Sequence, residues 1–163
     1  MGDTKFGGIG TLVITLVHQQ KRAGHVTPSI LFANKMQGDL LEKFERTGAE
    51  LLSADCRRGY DISLEKYRLV RDIFNKFDVL HFHYFNPLLA WCAGHEKKKI
   101  VYTEHGNFGF GRKITLSDRI KRILLKNFLN NHVNHISFNS EFTKKTAEHR
   151  YGLSGASRST IYN

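Results

Sequence analysis

KIVYTEHGNFGFGRKITLSDRIKRILLKNF, residues 99–128, runs from an apolar stretch through a glycine-rich turn into an amphipathic stretch. The first part, KIVYTEH, has the length and β-branched content of a strand. The last part predicts a helix, because Leu116, Ile120, Ile123, Leu124 and Phe128 fall on one face at helical spacing. Thr115 and Asp118 have the form of a capping box at its start, with Asp in place of the usual Glu. Strand, turn and helix in this order form one half of a βαβ unit, and a parallel sheet follows if the pattern repeats.

It does repeat. GGIGTLVITLVHQQKRAGH reads as a turn and a helix, with Ile9, Val13, Leu16 and Val17 on one face and Gly24 as its cap. TPSILFAN is a short strand, DLLEKFERTG a helix stopped by Gly48, and AELLSA a second strand. SLEKYRLVRDIFNKF places Tyr67, Val70, Phe74 and Phe77 on one stripe. DVLHFHYF is the third strand, and Pro87 opens a brief helix running through Trp91. After the quoted stretch come the strand NHISFNS, a helix EFTKKTAEHRYG closed by Gly152, and RSTIYN as the start of a sixth strand. The expected class is α/β, a Rossmann-like parallel sheet flanked by helices and joined by right-handed crossovers.

With 163 residues, the chain can bury roughly 70% of its unfolded surface, enough for one domain with a core. No apolar run is long enough to cross a bilayer. The start, MGDTKFGG, lacks the basic-then-apolar order of a signal peptide. Cys56 and Cys92 fit no metal or redox spacing, which makes a reducing compartment the default. The formal net charge of +10 points to anionic partners, or simply keeps a soluble domain dispersed.

Ligands of an open parallel sheet bind beyond the carboxyl ends of its strands, so the strand-to-helix turns are the places to search. KFGGIGT offers free backbone N–H groups at a helix N-terminus, suited to a phosphate through Gly7 and Gly8, or is only a tight turn. His81 and His83 share one face of their strand. With no third ligand at a recognisable spacing, packing and hydrogen bonding fit the pair better than a metal site does. His105 stands at a strand terminus before glycines 106, 109 and 111. A neutral imidazole there can accept a proton or hydrogen-bond a sugar hydroxyl, and a purely structural histidine is equally compatible. Arg119, Arg122 and Lys126 recur at i, i+3 and i+7, a cationic face opposite the apolar one. That suits an interfacial helix on an anionic membrane, or a core-facing helix with a solvated back. No interleaved aromatics or reader motif accompany these cations, which argues against nucleic acid.

Taken in order, KFGGIGTLVITLVHQQKRAGH, FDVLHFH, IVYTEHG and HISFNSEFTKKTAEHRYGLSGASRSTIYN resemble four motifs of the N-terminal domain of GT4-family retaining glycosyltransferases. The resemblance runs through nearly the whole chain and implies a single acceptor-side domain over residues 1–163, one half of the two-domain GT-B architecture. It implies transfer of a sugar from a nucleotide-sugar co-substrate to a glycan or lipid-linked acceptor in cell-surface polysaccharide or glycolipid synthesis. No metal or other cofactor is expected. By the same resemblance Gly7 and Gly8 lie against the donor diphosphate and His105 is the catalytic-site histidine facing the transferred sugar. His83, Glu104, Asn107, Asn139 and Glu141 line the cleft or acceptor side, and Arg119, Arg122 and Lys126 form a membrane-facing basic helix. A cytoplasmic location, peripheral to the inner membrane face, goes with these expectations.

The chain departs from the family at three points. Ile9, Gly10 and Thr11 stand where a small residue and Glu usually follow the Gly-Gly loop. The strand expected before that loop is absent, and so is the second domain with its E-x7-E pair. The chain therefore reads as a piece of a longer enzyme, inactive alone. A nucleotide-sugar epimerase of the same fold and a non-catalytic glycan- or surface-binding domain are the other readings. An NAD-dependent oxidoreductase fits poorly without G-x-G-x-x-G after a strand.

Overall fold

The computed structural model describes residues 8–56, 63–96, 98–106 and 115–162. Six helices and six strands alternate along these residues. The chain divides into two compact units, Met1–Asp61 and Ile62–Asn163.

The first unit holds α1 (Gly8–Ala23), β1 (Ser29–Phe32), α2 (Asp39–Glu45) and β2 (Glu50–Ser53). Its two strands pair in parallel, Ile30 opposite Leu51. Val17, Ile30 and Phe44 form a small core with Val13, Ile14 and Phe32 packed against it. Gly24 and Gly48 both adopt positive φ at the helix ends, where a side chain would be strained. The Lys21 ammonium donates to the carbonyls of Thr47 and Gly48 at 2.9 and 2.8 Å, neutralising the negative end of α2.

The second unit is a four-stranded parallel sheet in the order β3-β4-β5-β6. It is built from β3 (Val79–Phe82), β4 (Lys99–Glu104), β5 (His135–Phe138) and β6 (Ser157–Thr160). Helices α3 (Leu64–Asn75), α4 (Pro87–His95), α5 (Leu116–Asn131) and α6 (Glu141–Tyr151) connect and flank them. Alternation along the strands gives the sheet two different faces. Leu80, Phe82, Ile100, Tyr102, Ile136 and Phe138 are buried on one. The other carries His81, Thr103, His135, Ser137, Ser157 and Ser159. Phe74, Phe82, Phe85 and Phe128 join the buried face to α3 and α5 through edge and tilted ring contacts.

The caps explain where the helices begin and end. Ser63, Asn86, Thr115 and Ser140 each accept a backbone N–H of the first turn that follows. At α5 the Asp118 carboxylate returns a bond to the Thr115 N–H, completing the capping box. Gly152 ends α6 in the left-handed conformation.

The orientation of α5 differs from the expectation. Of the expected core stripe only Phe128 is buried; Leu116, Ile120, Ile123 and Leu124 are exposed by 73%, 46%, 67% and 41%. The helix packs inward through Leu125, Phe128 and Leu129 instead. The apolar stripe thus faces outward, beside Arg119, Arg122 and Lys126 rather than across the helix from them. Packing selects the Leu125–Phe128–Leu129 face because Phe128 fills the space between Phe82 and Phe85, with ring centroids 5.2 and 6.1 Å away.

Candidate functional site

The carboxyl ends of β3, β4 and β5 bring His83, His105 and Asn139 together. His83 Nδ1 lies 3.4 Å from His105 Nε2, with the two rings stacked at 5.6 Å. The His81 and His83 rings stand 4.1 Å apart. The Asn139 amide donates to the His105 carbonyl at 3.3 Å, and its Oδ1 is buried with no hydrogen-bond partner among the described residues. An acceptor left open beside a histidine pair is the kind of atom a ligand hydroxyl satisfies.

Both rings are pushed toward the neutral form. Burial, then the neighbouring His81 and His105, push the His83 pKa down to about 3. Burial lowers His105 as well. His81 moves the same way through burial and then His105 and His135. Its solvent-open flank argues for a smaller shift than that of His83. Between two neutral rings only one proton can occupy the Nδ1···Nε2 contact. His105 can therefore present its remaining nitrogen as donor or as acceptor, whichever a bound group requires.

This neutrality has a consequence for stability. The unfolded chain takes up protons on these imidazoles as pH falls below the ordinary value of 6.5, whereas folded His83 resists until about 3. Stability is thus complete above pH 6.5 and lost progressively below it. We expect the unfolding midpoint to fall with acidification across that window, and less steeply in His83→Gln. Thermal melts at a series of pH values check this.

A row of hydroxyls extends the site along the polar face of the sheet, where Ser137 is buried. His81 Nε2 shares a hydrogen bond with Thr103 Oγ1 at 2.8 Å, and Thr103 with Ser137 Oγ at 2.7 Å. His135 bridges Ser157 and Ser159 at 2.7 and 2.8 Å. Sequence reasoning passed over Thr103, Ser137, His135, Ser157 and Ser159. Their signal is polar residues at period two within runs read as apolar strands. Among the described residues no group of three or more His, Cys, Asp or Glu could hold a metal ion.

The remaining expected residues lie elsewhere. Glu104 alternates to the covered face and is 7% exposed. Burial raises its pKa, and the N–H groups of Gly106 and His105 oppose that rise. Its carboxylate accepts the Gly106 N–H at 2.9 Å, so it fixes the turn that follows His105. Glu141 begins α6 and accepts a hydrogen bond from the Thr160 hydroxyl on β6. Gly8 is the exposed first residue of α1, in the other unit, and the first turn there carries no acidic residue. Gly7 and Asn107 fall outside the described residues, as do glycines 109 and 111. Arg119, Arg122 and Lys126 are exposed on α5, and Arg122 donates to the Arg150 carbonyl at 3.0 Å. No described helix is long and apolar enough to cross a membrane.

No curated protein and no solved structure matches the chain. The sequence model of Glycosyltransferase Family 4 matches residues 6–163. Its span takes in both units, with the Gly8 helix start and the His83–His105 pair inside it. The α/β topology agrees with a Rossmann-like half of such an enzyme. By this match the chain belongs to glycosyltransferase family 4, as its N-terminal domain.

Proposed function

We propose that the chain serves a retaining glycosyltransferase of two-domain GT-B architecture as its acceptor-side domain. The enzyme moves a sugar from a nucleotide-sugar donor to a glycan or lipid-linked acceptor at the cytoplasmic face of an anionic membrane, in the synthesis of a surface polysaccharide or glycolipid. The observation that carries this reading is the neutral His83–His105 pair at the strands' carboxyl ends. A sugar hydroxyl both donates and accepts, and an imidazole with an open tautomer choice can meet it either way. The unpartnered Asn139 Oδ1 supplies a further acceptor close by. In this reading His105 touches a sugar hydroxyl and orients it, while His83 positions His105 through the shared proton. Gly8 at the start of α1, with Gly7 before it in sequence, meets the donor diphosphate, since a helix N-terminus with no acidic residue in its first turn favours an anion.

A glycan array incubated with the 163-residue chain tests the acceptor side. We expect retention of a restricted set of glycans, weakened about tenfold or more in His105→Ala, since an open buried polar partner is worth about 1–3 kcal/mol. Retention unchanged by that substitution would exclude His105 from the sugar site. Retention of no glycan at all would count against the acceptor-side assignment.

A further inference from the structure

On the flank of the second unit, helices α4 and α5 leave a shallow groove of about 130 Å³ between them. Its aromatic lining comes from Phe85, Trp91 and Phe128, and its polar lining from His95, Asn127 and His132. Phe128 is buried and Trp91 is 46% exposed, so the rings run from the floor to the rim. His95, Asn127 and His132 are exposed, which puts their polar atoms at the rim. None of the ten lining residues is Asp, Glu, Lys or Arg, on a chain of net charge +10.

The lining is held in place by its own packing. The Trp91 indole lies on Tyr67 at 4.6 Å between centroids and meets the His95 ring edge-on at 5.6 Å. His132 stacks on Phe128 at 6.2 Å. A Cβ on Gly94 would stand 3.0 Å from the His132 ring, so α4 gives up a better helix former to make room for it. His95 Nδ1 lies 2.8 Å from the Trp91 carbonyl, which can only accept. The proton therefore sits on Nδ1, and Nε2 of the uncharged ring is left as an acceptor.

We propose that this groove is a second, non-catalytic binding site for one neutral sugar unit of a glycan chain. A nucleotide or another anion would find no counter-charge there. An alkyl chain would match the rings but leave the hydrogen-bonding rim unused. A sugar ring has both characters. Weakly positive C–H groups on its face suit the negative face of an indole, and hydroxyls at its edge suit the rim. The size agrees, since pockets for drug-sized ligands run to about 300–1,000 Å³ and this one is smaller. Phe85 lies two residues after His83, so the turn that leaves β3 contributes to both surfaces. A glycan anchored here stays near the transfer site between encounters, which raises its effective concentration. The ligand class rests on the reading above, in which the acceptor is a glycan; the location does not.

The test is a titration of the chain with glucose, galactose, mannose, N-acetylglucosamine and their short neutral oligosaccharides, read by tryptophan fluorescence. Trp91 is the single tryptophan, so the emission reports this groove. We expect a saturable change with one class of neutral sugar, and none with inorganic phosphate or octanol. Asn127→Ala should weaken the response several-fold, the worth of one hydrogen bond. Its side chain is exposed, so the melting temperature should hold. Trp91→Ala, followed by ligand NMR of the same sugar, should weaken binding tenfold or more. His105→Ala should leave the emission change as it is.

No emission change with any neutral sugar would overturn the proposal. So would a change that phosphate or octanol reproduces, or one abolished by His105→Ala, since the report would then come from the strand ends. The acceptor reading fails separately. Array retention that depends on His105, with no response at Trp91, would leave that reading standing and remove this site. Retention indifferent to His105, with the Trp91 response intact, would sink the role of His105 and leave the groove.

Discussion

Phe128→Ala is expected to destabilise the second unit by about 3–5 kcal/mol, the range for deleting a buried aromatic ring. Phe128 is 3% exposed. It meets Phe82 on the sheet and Phe85 at the start of the following loop, and His132 stacks on its other side at 6.2 Å. A cavity there cannot close easily, because rigid strands and a helix bound it. Total stability of a domain is about 5–15 kcal/mol, so this single change removes a large part of it. The matched control is Ile123→Ala, five residues away on the same helix. Ile123 is 67% exposed, and its truncation should change stability by no more than about 0.5 kcal/mol. Urea denaturation of both variants decides which stripe of α5 faces the core. Equal losses would restore the stripe expected from periodicity.

Gly106→Ala is expected to cost about 2–4 kcal/mol, by two separable routes. Gly106 has φ of +80°, a conformation that a side chain disfavours. A Cβ added there would also come within 2.9 Å of Thr143 Oγ1 on α6. Thr143 is buried and shares a hydrogen bond with the α6 cap, Ser140, at 2.9 Å, so it has little room to yield. Removing its hydroxyl in Gly106→Ala with Thr143→Ala should recover the clash but not the backbone strain. A double-mutant cycle in denaturant therefore should give a favourable coupling of about 1 kcal/mol. Zero coupling would mean that strain alone accounts for the loss. Because Gly106 adjoins His105, the single variant should disturb the His83–His105 contact as well.

The elements were legible because their punctuation is chemical. Pro87, Thr115 with Asp118, Gly24, Gly48 and Gly152 each mark a helix end where the structure has one. The facing of α5 was not, for a definite reason. LSDRIKRILLKNFL, residues 116–129, carries two helical stripes, Leu116–Ile120–Ile123–Leu124 and Leu125–Phe128–Leu129, and periodicity alone cannot rank them. Shape decides, since only the second presents a ring to Phe82 and Phe85. The site was legible in part. His83 and His105 stood at strand ends, where ligands of parallel sheets gather. Their contact could not be read, because it depends on the pairing of His81 with Val101 that sets the register of β3 against β4. The Thr103–Ser137 chain was hidden for the same reason, since it exists only across the β4–β5 ladder. Glu104 shows the converse. One residue from His105 in sequence, it turns to the opposite face and is spent on holding the turn.

The most direct test of the sugar-facing role of His105 is nitrogen NMR of the histidine rings, titrated with a panel of nucleotide sugars and acceptor glycans. The method reads weak binding and tautomer in one spectrum. The account predicts that His83 is neutral at pH 6, and that one ligand class shifts the His105 ring while His18 and His149 stay unmoved. A His83 ring already protonated at that pH, or a His105 signal indifferent to every sugar, would contradict it.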